Sequence, residues 1–379
     1  MYFYLDDSLI VDENDTEFAK IKKAIKYLSL GYSEGNHLLG GDNGILEFYK
    51  NAFYESDKDT YSVLAELCDK SYEGIPIGIT FYVEVVKNIS IPLRIENDIE
   101  IKQIKYDFFR NSKKIQKTNF IVEDLDDADF YNYICQCKLG GKEYVFEKIN
   151  GGGTNTIDSV RQHAFTQKEI TISIIDTDKN FASDNDSSKL SEFKKQCDKI
   201  KQKDNIIMDY LVINVHEIEN LIPLDIIDQL EYQQGGQQEN KNDFDLIKGS
   251  NIANDILPFF DTKKGIVKLK SIYDNPDFIQ YIKPIVRLKP TLLTTYNNDF
   301  DAYYAKIEVV EGKKGNDSKG KIWSGLRHDL LKETLKYISK NIDSLLTPKI
   351  LPFQEKEWTR ISNFIYTMCC CYKNNEARN

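Results

Sequence analysis

Between Thr118 and Asn220 the chain repeats one pattern: an apolar run of strand length, a polar or glycine-rich exit, then a stretch with helical spacing. The runs fall at Lys117–Val122, Tyr144–Ile149, Ile170–Ile175 and Asp209–Val215. Short apolar runs of this kind fit strands covered on both faces. Helices are predicted over Asp126–Lys138, Thr156–Phe165 and Ser188–Lys201. Strands alternating with helices imply right-handed crossovers and a mainly parallel sheet.

The flanks read differently. In residues 1–112, Phe18, Ile21, Ile25 and Leu28 recur at helical spacing, with Asn14 or Asp15 as cap and Gly31 at the C′ position. Pro76–Val86 reads as strand, and so does Ile91–Ile104. Gly40-Gly41-Asp42-Asn43-Gly44 reads as a turn, because no Gly-Lys-Ser/Thr follows it. Residues 231–241 are polar and low in complexity, the pattern of an exposed linker. Beyond them helix outweighs strand, with Leu330–Leu346 and Trp358–Cys371 as helices. The expected organisation is an N-terminal α/β module over 1–112, a central α/β domain over 113–230 and a mostly helical region over 231–379.

Composition narrows the function classes. A chain of 379 residues suits two or three domains, and 41% hydrophobic with 29% charged residues suits a soluble protein. No apolar run approaches the ~20 residues of a membrane helix. The start, Met1-Tyr2-Phe3-Tyr4-Leu5-Asp6-Asp7, lacks the basic and long apolar parts of a signal peptide. Seven cysteines, three of them adjacent, make a poor disulfide framework, so a cytoplasmic location is expected. With four histidines and no Cys-x-x-Cys pair, structural zinc is disfavoured; Cys135 and Cys137 would face apart on a helix. A net charge of −10 argues against a passive nucleic-acid binder, whose affinity comes from neutralising phosphates. It leaves room for a nuclease, whose metal site is itself built of carboxylates.

Those carboxylates sit where the strands end, the place where parallel sheets bind ligands. Glu123 follows Phe120-Ile121-Val122 and opens a stretch with five carboxylates in seven residues, Glu123 to Asp129. Several of these dress a helix N-terminus, which favours negative charge; Glu123, at the strand end, needs a partner if buried. Gly151-Gly152-Gly153 follows the second run. Asp176-Thr177-Asp178 follows the third, with both carboxylates on one face if the strand geometry continues. Glu217 and Glu219 repeat the i, i+2 spacing after the fourth. Oxygen donors of this kind suit Mg²⁺ or Mn²⁺.

This arrangement resembles the Toprim fold of topoisomerases, bacterial primases and OLD-type nucleases. In that pattern a Glu follows strand one, glycines follow strand two and Asp-x-Asp follows strand three, here Glu123, Gly151–Gly153 and Asp176/Asp178. Glu217-Ile218-Glu219-Asn220 followed by Leu-Ile-Pro is similar to a segment of OLD-like Toprim proteins from bacterial antiphage systems. The resemblance covers about 110 of the 379 residues. Asp124 stands where the family often has glycine, and Asp127 matches a second acidic position four residues after the Glu. The resemblance implies a nuclease cutting DNA or RNA with Mg²⁺ or Mn²⁺. Asp176, Asp178 and Glu123 would hold one ion; Asp127 with Glu217 or Glu219 would help hold a second, ~4 Å away. Glu123 has an alternative role as general acid or base, and Gly151–Gly153 would let backbone amides approach a phosphate. Lys321, Lys319 and Arg327 are candidates for the family's C-terminal lysine. OLD proteins carry a fused ATPase, and none is visible here. A separately encoded ATPase or sensor partner is therefore expected, with no membrane partner.

Gly315 to Lys321 fits the first part of a phosphate-binding loop, but Ile322 stands where Ser or Thr must hold Mg²⁺. Lys313, Lys314, Lys319 and Lys321 read better as a basic loop. Two other functions remain open: a non-catalytic Toprim scaffold, and a Toprim nucleotidyl-transfer enzyme, which usually needs an added template-handling domain.

Overall fold

A computed structural model describes residues 1–70, 74–140, 144–234, 238–311 and 320–369, with the backbone alone of 154, 231–234 and 238–239. The fold is mixed α/β, with sheets dominated by parallel pairs and a helical C-terminal region. Two units form. One takes Met1–Ile174, Phe193–Leu211 and 359–369; the other takes Ile175–Glu192 and Val212–Trp358. The units are interleaved in sequence, whereas the linear pattern suggests three consecutive segments. The chain enters the second unit twice from the ends of apolar strands.

The first unit holds two sheets. Strands β1 (Tyr2–Leu5), β2 (Leu38–Gly41), β3 (Phe81–Val86), β4 (Leu93–Glu96) and β5 (Ile99–Lys105) form one, in the order β2-β1-β3-β5-β4. All pairs are parallel except β4 with β5. Every residue of β3 is buried, Glu84 included. That carboxylate is tolerable because Arg94 donates to both its oxygens at 2.8 Å and Gln103 adds a bond at 2.7 Å. The expected single strand over Ile91–Ile104 is a hairpin. Asn97 and Asp98 have φ of 51° and 63°, the pair of left-handed residues a tight two-residue turn needs.

Two glycines also differ from expectation. Gly31 lies inside the helix Phe18–Ser33, not after it, and a Cβ there would sit 3.1 Å from the Cβ of Ile115. Glu17 is the N-cap, and Gly35, at φ 72°, follows the helix. The glycines at 40 and 41 end β2, and Asp42 begins the helix Asn43–Phe53, so this segment is a strand-to-helix junction. At Gly40 a Cβ would lie 2.2 Å from the Tyr2 hydroxyl, so a larger residue there would have to displace the end of that ring.

The second sheet contains β6 (Thr118–Val122), β7 (Phe146–Asn150), β8 (Thr171–Ile175) and β9 (Met208–Val212), ordered β7-β6-β8-β9. Strand β6 runs parallel to β7 and β8. Helices Leu125–Lys138 and Ser188–Lys201 fall close to their expected bounds, while Thr156–Val160 continues as a π-helix to Thr166. The last helix, Pro352–Cys369, starts one and a half turns before the expected Trp358, with proline in the first position. Its end ties both sheets: Thr80 bonds Thr367, and the Thr118 hydroxyl donates to the Met368 carbonyl.

In the second unit, β10 (Gly265–Val267) and β11 (Lys321–Ser324) pair antiparallel among helices that include Pro276–Arg287 and Leu330–Asn341. The expected linker at 231–241 is largely helix, shared by Leu224–Gln234 and Gln238–Lys248; residues 235–237 lie outside the described chain. Gln, Glu and Lys are good helix formers, so low complexity alone did not make a loop. Residues 312–319, with Lys313, Lys314 and Lys319, also lie outside it. Among the described residues no helix is long and apolar enough to cross a membrane.

Lys102 is buried on β5 and donates to the carbonyls of Lys201 (2.6 Å) and Lys203 (3.3 Å). Burial, and then the Lys201 charge, push its pKa down to about 8 from 10.5. The folded state therefore binds fewer protons than the unfolded chain between these values, so stability rises with pH there. The burial cost is fully present below pH 8 and is relieved on passing above it, by an amount on the order of 3 kcal/mol. A neutral amine still has N–H groups for both carbonyls. Denaturant unfolding of wild type and Lys102→Met from pH 7 to 10.5 checks this: wild type gains stability relative to the variant as pH rises, and parallel curves would refute it.

Candidate metal centre

The expected site residues divide between the units, and each set has its own surroundings. In the first unit, Glu123 follows β6 and is half-buried. Asp124 and Asp127 form a capping box on the helix Leu125–Lys138. The Asp124 side chain accepts from the Asp126 amide at 3.2 Å, and Asp127 accepts from the Asp124 amide at 2.9 Å. Asp127 thus has a structural task beside the one expected of it. Asp129 pairs with Lys148. The glycines are also engaged. The Gly151 amide donates to the Val122 carbonyl at 2.7 Å, and the Gly152 amide to the Asn150 side chain at 2.7 Å. A Cβ on Gly151 would come within 2.7 Å of the Thr156 hydroxyl oxygen and 2.8 Å of the Val122 carbonyl, which requires glycine there. The first two amides are taken by bonds within the chain, one to the neighbouring strand end and one to a local side chain.

The second unit holds Asp176, Asp178, Glu217, Glu219 and Lys321. Strand β8 stops at Ile175, and Asp178 has φ 55°. The two aspartates are therefore placed by a turn, not by the alternation of a strand. Three bonds fix that turn to the segment after β9. The Ile213 amide donates to the Ile175 carbonyl (3.1 Å), the Thr177 hydroxyl to the Val215 carbonyl (2.6 Å) and the Asp178 amide to the His216 carbonyl (3.0 Å). Asp176 is half-buried and Asp178 exposed. Lys321, in β11, is exposed, and Arg327 pairs with Asp329.

The segment 213–222 is held at many points. The His216 amide donates to the Pro258 carbonyl at 2.7 Å. The Asn220 side chain donates to the carbonyls of Leu257 and Phe260, both at 2.7 Å, and its Oδ1 accepts from the Glu217 amide at 3.0 Å. From the last helix, Gln354 donates to the carbonyls of Asn220 and Ile222, and Trp358 to that of Leu221. Glu357 accepts from the Asn214 amide.

These bonds bury a charged cluster. The Lys263 ammonium lies 2.6 Å from Glu217 and 2.8 Å from Glu219, the two glutamates expected to hold metal. His216 Nε2 lies 3.6 Å from Glu217 Oε1 and 3.6 Å from Asp261 Oδ2. Burial, and then the Glu219 charge, push the Glu217 carboxyl above its ordinary value. Burial pulls Lys263 down, but Glu219 and Glu217 outweigh it and hold the ammonium above the ordinary lysine range. Glu219 is 4% exposed, and its Oε2 has no hydrogen-bond partner among the described residues.

His216, Asp261 and Lys263 carried no weight in the sequence reading. His216 was visible beside Glu217. Asp261 and Lys263 lie more than forty residues further on, and their only local sign is an Asp-x-Lys after the apolar Leu257–Phe260. In the same unit a cleft of about 450 Å³ is lined by Phe181, Ser183, Asp255, Asp277, Gln280 and Tyr281 among others, with no basic side chain. Its carboxylates would repel a phosphate. No known protein family, curated protein or solved structure matches this chain.

Removing the Lys263 charge should leave Glu217 and Glu219 uncompensated. Lys263→Met is expected to lower stability by about 3 kcal/mol at pH 7, the low end for breaking a buried pair. Glu217 has a raised folded pKa, so its protonated form contributes stability that is present at low pH and lost as pH rises through that value. The deficit of the variant should therefore shrink toward pH 4.5. Unfolding midpoints at the two pH values check it; a deficit that grows on acidification would contradict the ion-pair account.

Proposed function

We propose that this chain is a divalent-metal-dependent nuclease acting on phosphodiester bonds of DNA or RNA. The observation that supports the reading is the three-point attachment of the Asp176–Asp178 turn to residues 213–216. A pair of carboxylates on a turn held this way is preorganised, which a metal centre needs and a solvated loop does not. The donors are oxygens, one half-buried and one exposed, and suit Mg²⁺ or Mn²⁺. An ion held by Asp176 and Asp178 would supply an activated water and screen the charge of a phosphodiester. Thr177, buried between them, keeps the turn attached while its neighbours face the solvent side. In this reading the chain is the effector of an antiphage system and is restrained by a separately encoded ATPase or sensor; that part rests on the resemblance to OLD-like Toprim nucleases alone.

One observation favours a second reading, a non-catalytic scaffold. Lys263 already pairs with both Glu217 and Glu219, so the two glutamates have a structural partner of their own in place of the catalytic ion the nuclease reading gives them.

The two readings part on one comparison. Asp176→Ala should abolish plasmid or RNA cleavage in Mg²⁺ or Mn²⁺. Asp126→Ala removes a helix-end charge worth roughly 0.3–1 kcal/mol and should leave cleavage within a few-fold of wild type. Equal loss in both variants would reject the assignment of roles, and no cleavage by wild type on any nucleic acid would favour the scaffold.

A further inference from the structure

We infer that His216, Glu217 and Asp261 form a binding site for a first-row transition-metal cation, of the Mn²⁺, Co²⁺ or Zn²⁺ class. This goes beyond the nuclease reading, since it requires neither cleavage nor Asp176 and Asp178.

The first support is the spacing. The ligand atoms offered by the three residues lie within 4.8 Å of one another. At 3.6 Å, His216 Nε2 is too far from Glu217 Oε1 and Asp261 Oδ2 for a good hydrogen bond. Two ligands each ~2.1 Å from one ion and 3.6 Å apart subtend about 120°, an angle that tetrahedral and five-coordinate centres tolerate.

The second is how each ligand is held. His216 Nδ1 lies 2.6 Å from the Lys179 carbonyl, which can only accept, so Nδ1 carries the proton and Nε2 is the nitrogen turned to the carboxylates. Glu217, whose carboxylate also accepts the Asn220 amide in a capping box, gives Oε2 to Lys263 and sets Oε1 3.6 Å from the imidazole. Asp261 takes the amides of Lys263 (3.0 Å) and Lys264 (2.7 Å) on Oδ1 and turns Oδ2 inward. In each ligand one atom is anchored and the other lies 3.6 Å from a neighbour in the triad, and anchoring of this kind is how outer partners orient metal ligands.

The third observation is independent of these three residues. Glu219 is nearly fully buried beside Lys263, and its Oε2 has no partner among the described residues. Glu217 and Glu219 thus share one ammonium while Asp261 is bound by backbone amides, so one lysine charge stands against the two glutamates, an excess that a further cation would relieve. The Glu217 side chain, 13% exposed, leaves a way in. An imidazole among the donors selects against Mg²⁺, which keeps water and oxygen ligands, and for a softer divalent ion.

The test uses the full chain, stripped of metal, in two forms: wild type and Asp176→Asn/Asp178→Asn. Titration with Co²⁺, followed by visible absorption, should show one ion bound per chain in the double variant. Bound Mn²⁺ should show nitrogen coupling in its spin-echo spectrum. Adding His216→Gln should remove the nitrogen coupling and weaken binding by at least about tenfold, and Asp261→Asn should weaken it similarly. Circular dichroism checks that each variant is folded, and the nitrogen coupling needs no substitution at the site. No Co²⁺ bound at millimolar concentration, binding without nitrogen coupling, or unchanged affinity in folded His216→Gln would each overturn the inference. Loss of cleavage in Asp176→Ala with this binding intact would show that the two sites stand or fall separately.

Discussion

The ammonium of Lys263 is the constraint on which the second unit's charged interior depends. Glu217 and Glu219 cannot both be carried into a buried turn as anions without a counter-charge. Lys263 provides it at 2.6 and 2.8 Å. Its backbone also serves: the Lys263 amide joins that of Lys264 in binding Asp261, so one short turn supplies a cation to two carboxylates and amides to a third. The Glu-Ile-Glu-Asn segment then has a defined shape. Asn220 adds its own share by closing the turn on Glu217 and reaching the carbonyls of Leu257 and Phe260.

That shape is transmitted to the Asp176–Asp178 turn through the backbone rather than through side-chain charge. Val215 and His216 offer their carbonyls to Thr177 and Asp178, while the His216 amide is taken by Pro258 and its ring by Lys179. His216 therefore stands at the meeting of three segments. A substitution that moves its backbone would shift the Asp-x-Asp turn and the carboxylate cluster together, so single-residue effects here should not add.

The two central strands were legible in sequence because they are buried on both faces, so each carries apolar residues at consecutive positions with only small polar ones between or before them. Thr118–Val122 and Thr171–Ile175 fall within a residue of their expected bounds. The first sheet was harder to read. Its hairpin at Asn97-Asp98 depends on two left-handed residues inside a segment that otherwise looks like one strand. Gly31 resembled a helix stop, but it is inside a helix because Ile115, distant in sequence, packs against it. The polar residues 231–234 and 238–241, expected as a linker, are helical, as their residue types allow. In each case the deciding contact or dihedral is one that local pattern does not carry.

The same distinction applies to the carboxylates. Sequence pattern expected Glu217, Glu219, Asp176 and Asp178 at strand ends, whereas β9 stops at Val212 and the two glutamates lie on the 3-10 turn Ile218–Leu221 with Glu217 as its cap; nor could it divide ligand from cap or ion pair. Asp127 is the clear example: its spacing from Glu123 suits a metal ligand, and its spacing from Asp124 suits a capping box, which is the bond it makes. A carboxylate has two oxygens, so the two tasks are compatible only if the cap leaves the second oxygen suitably turned. Glu217 and Asp261 show that outcome directly. Each spends one oxygen on a lysine or on backbone amides and presents the other to an imidazole nitrogen. A carboxylate's assignment therefore follows from the direction of its second oxygen, a property set by residues far away in sequence.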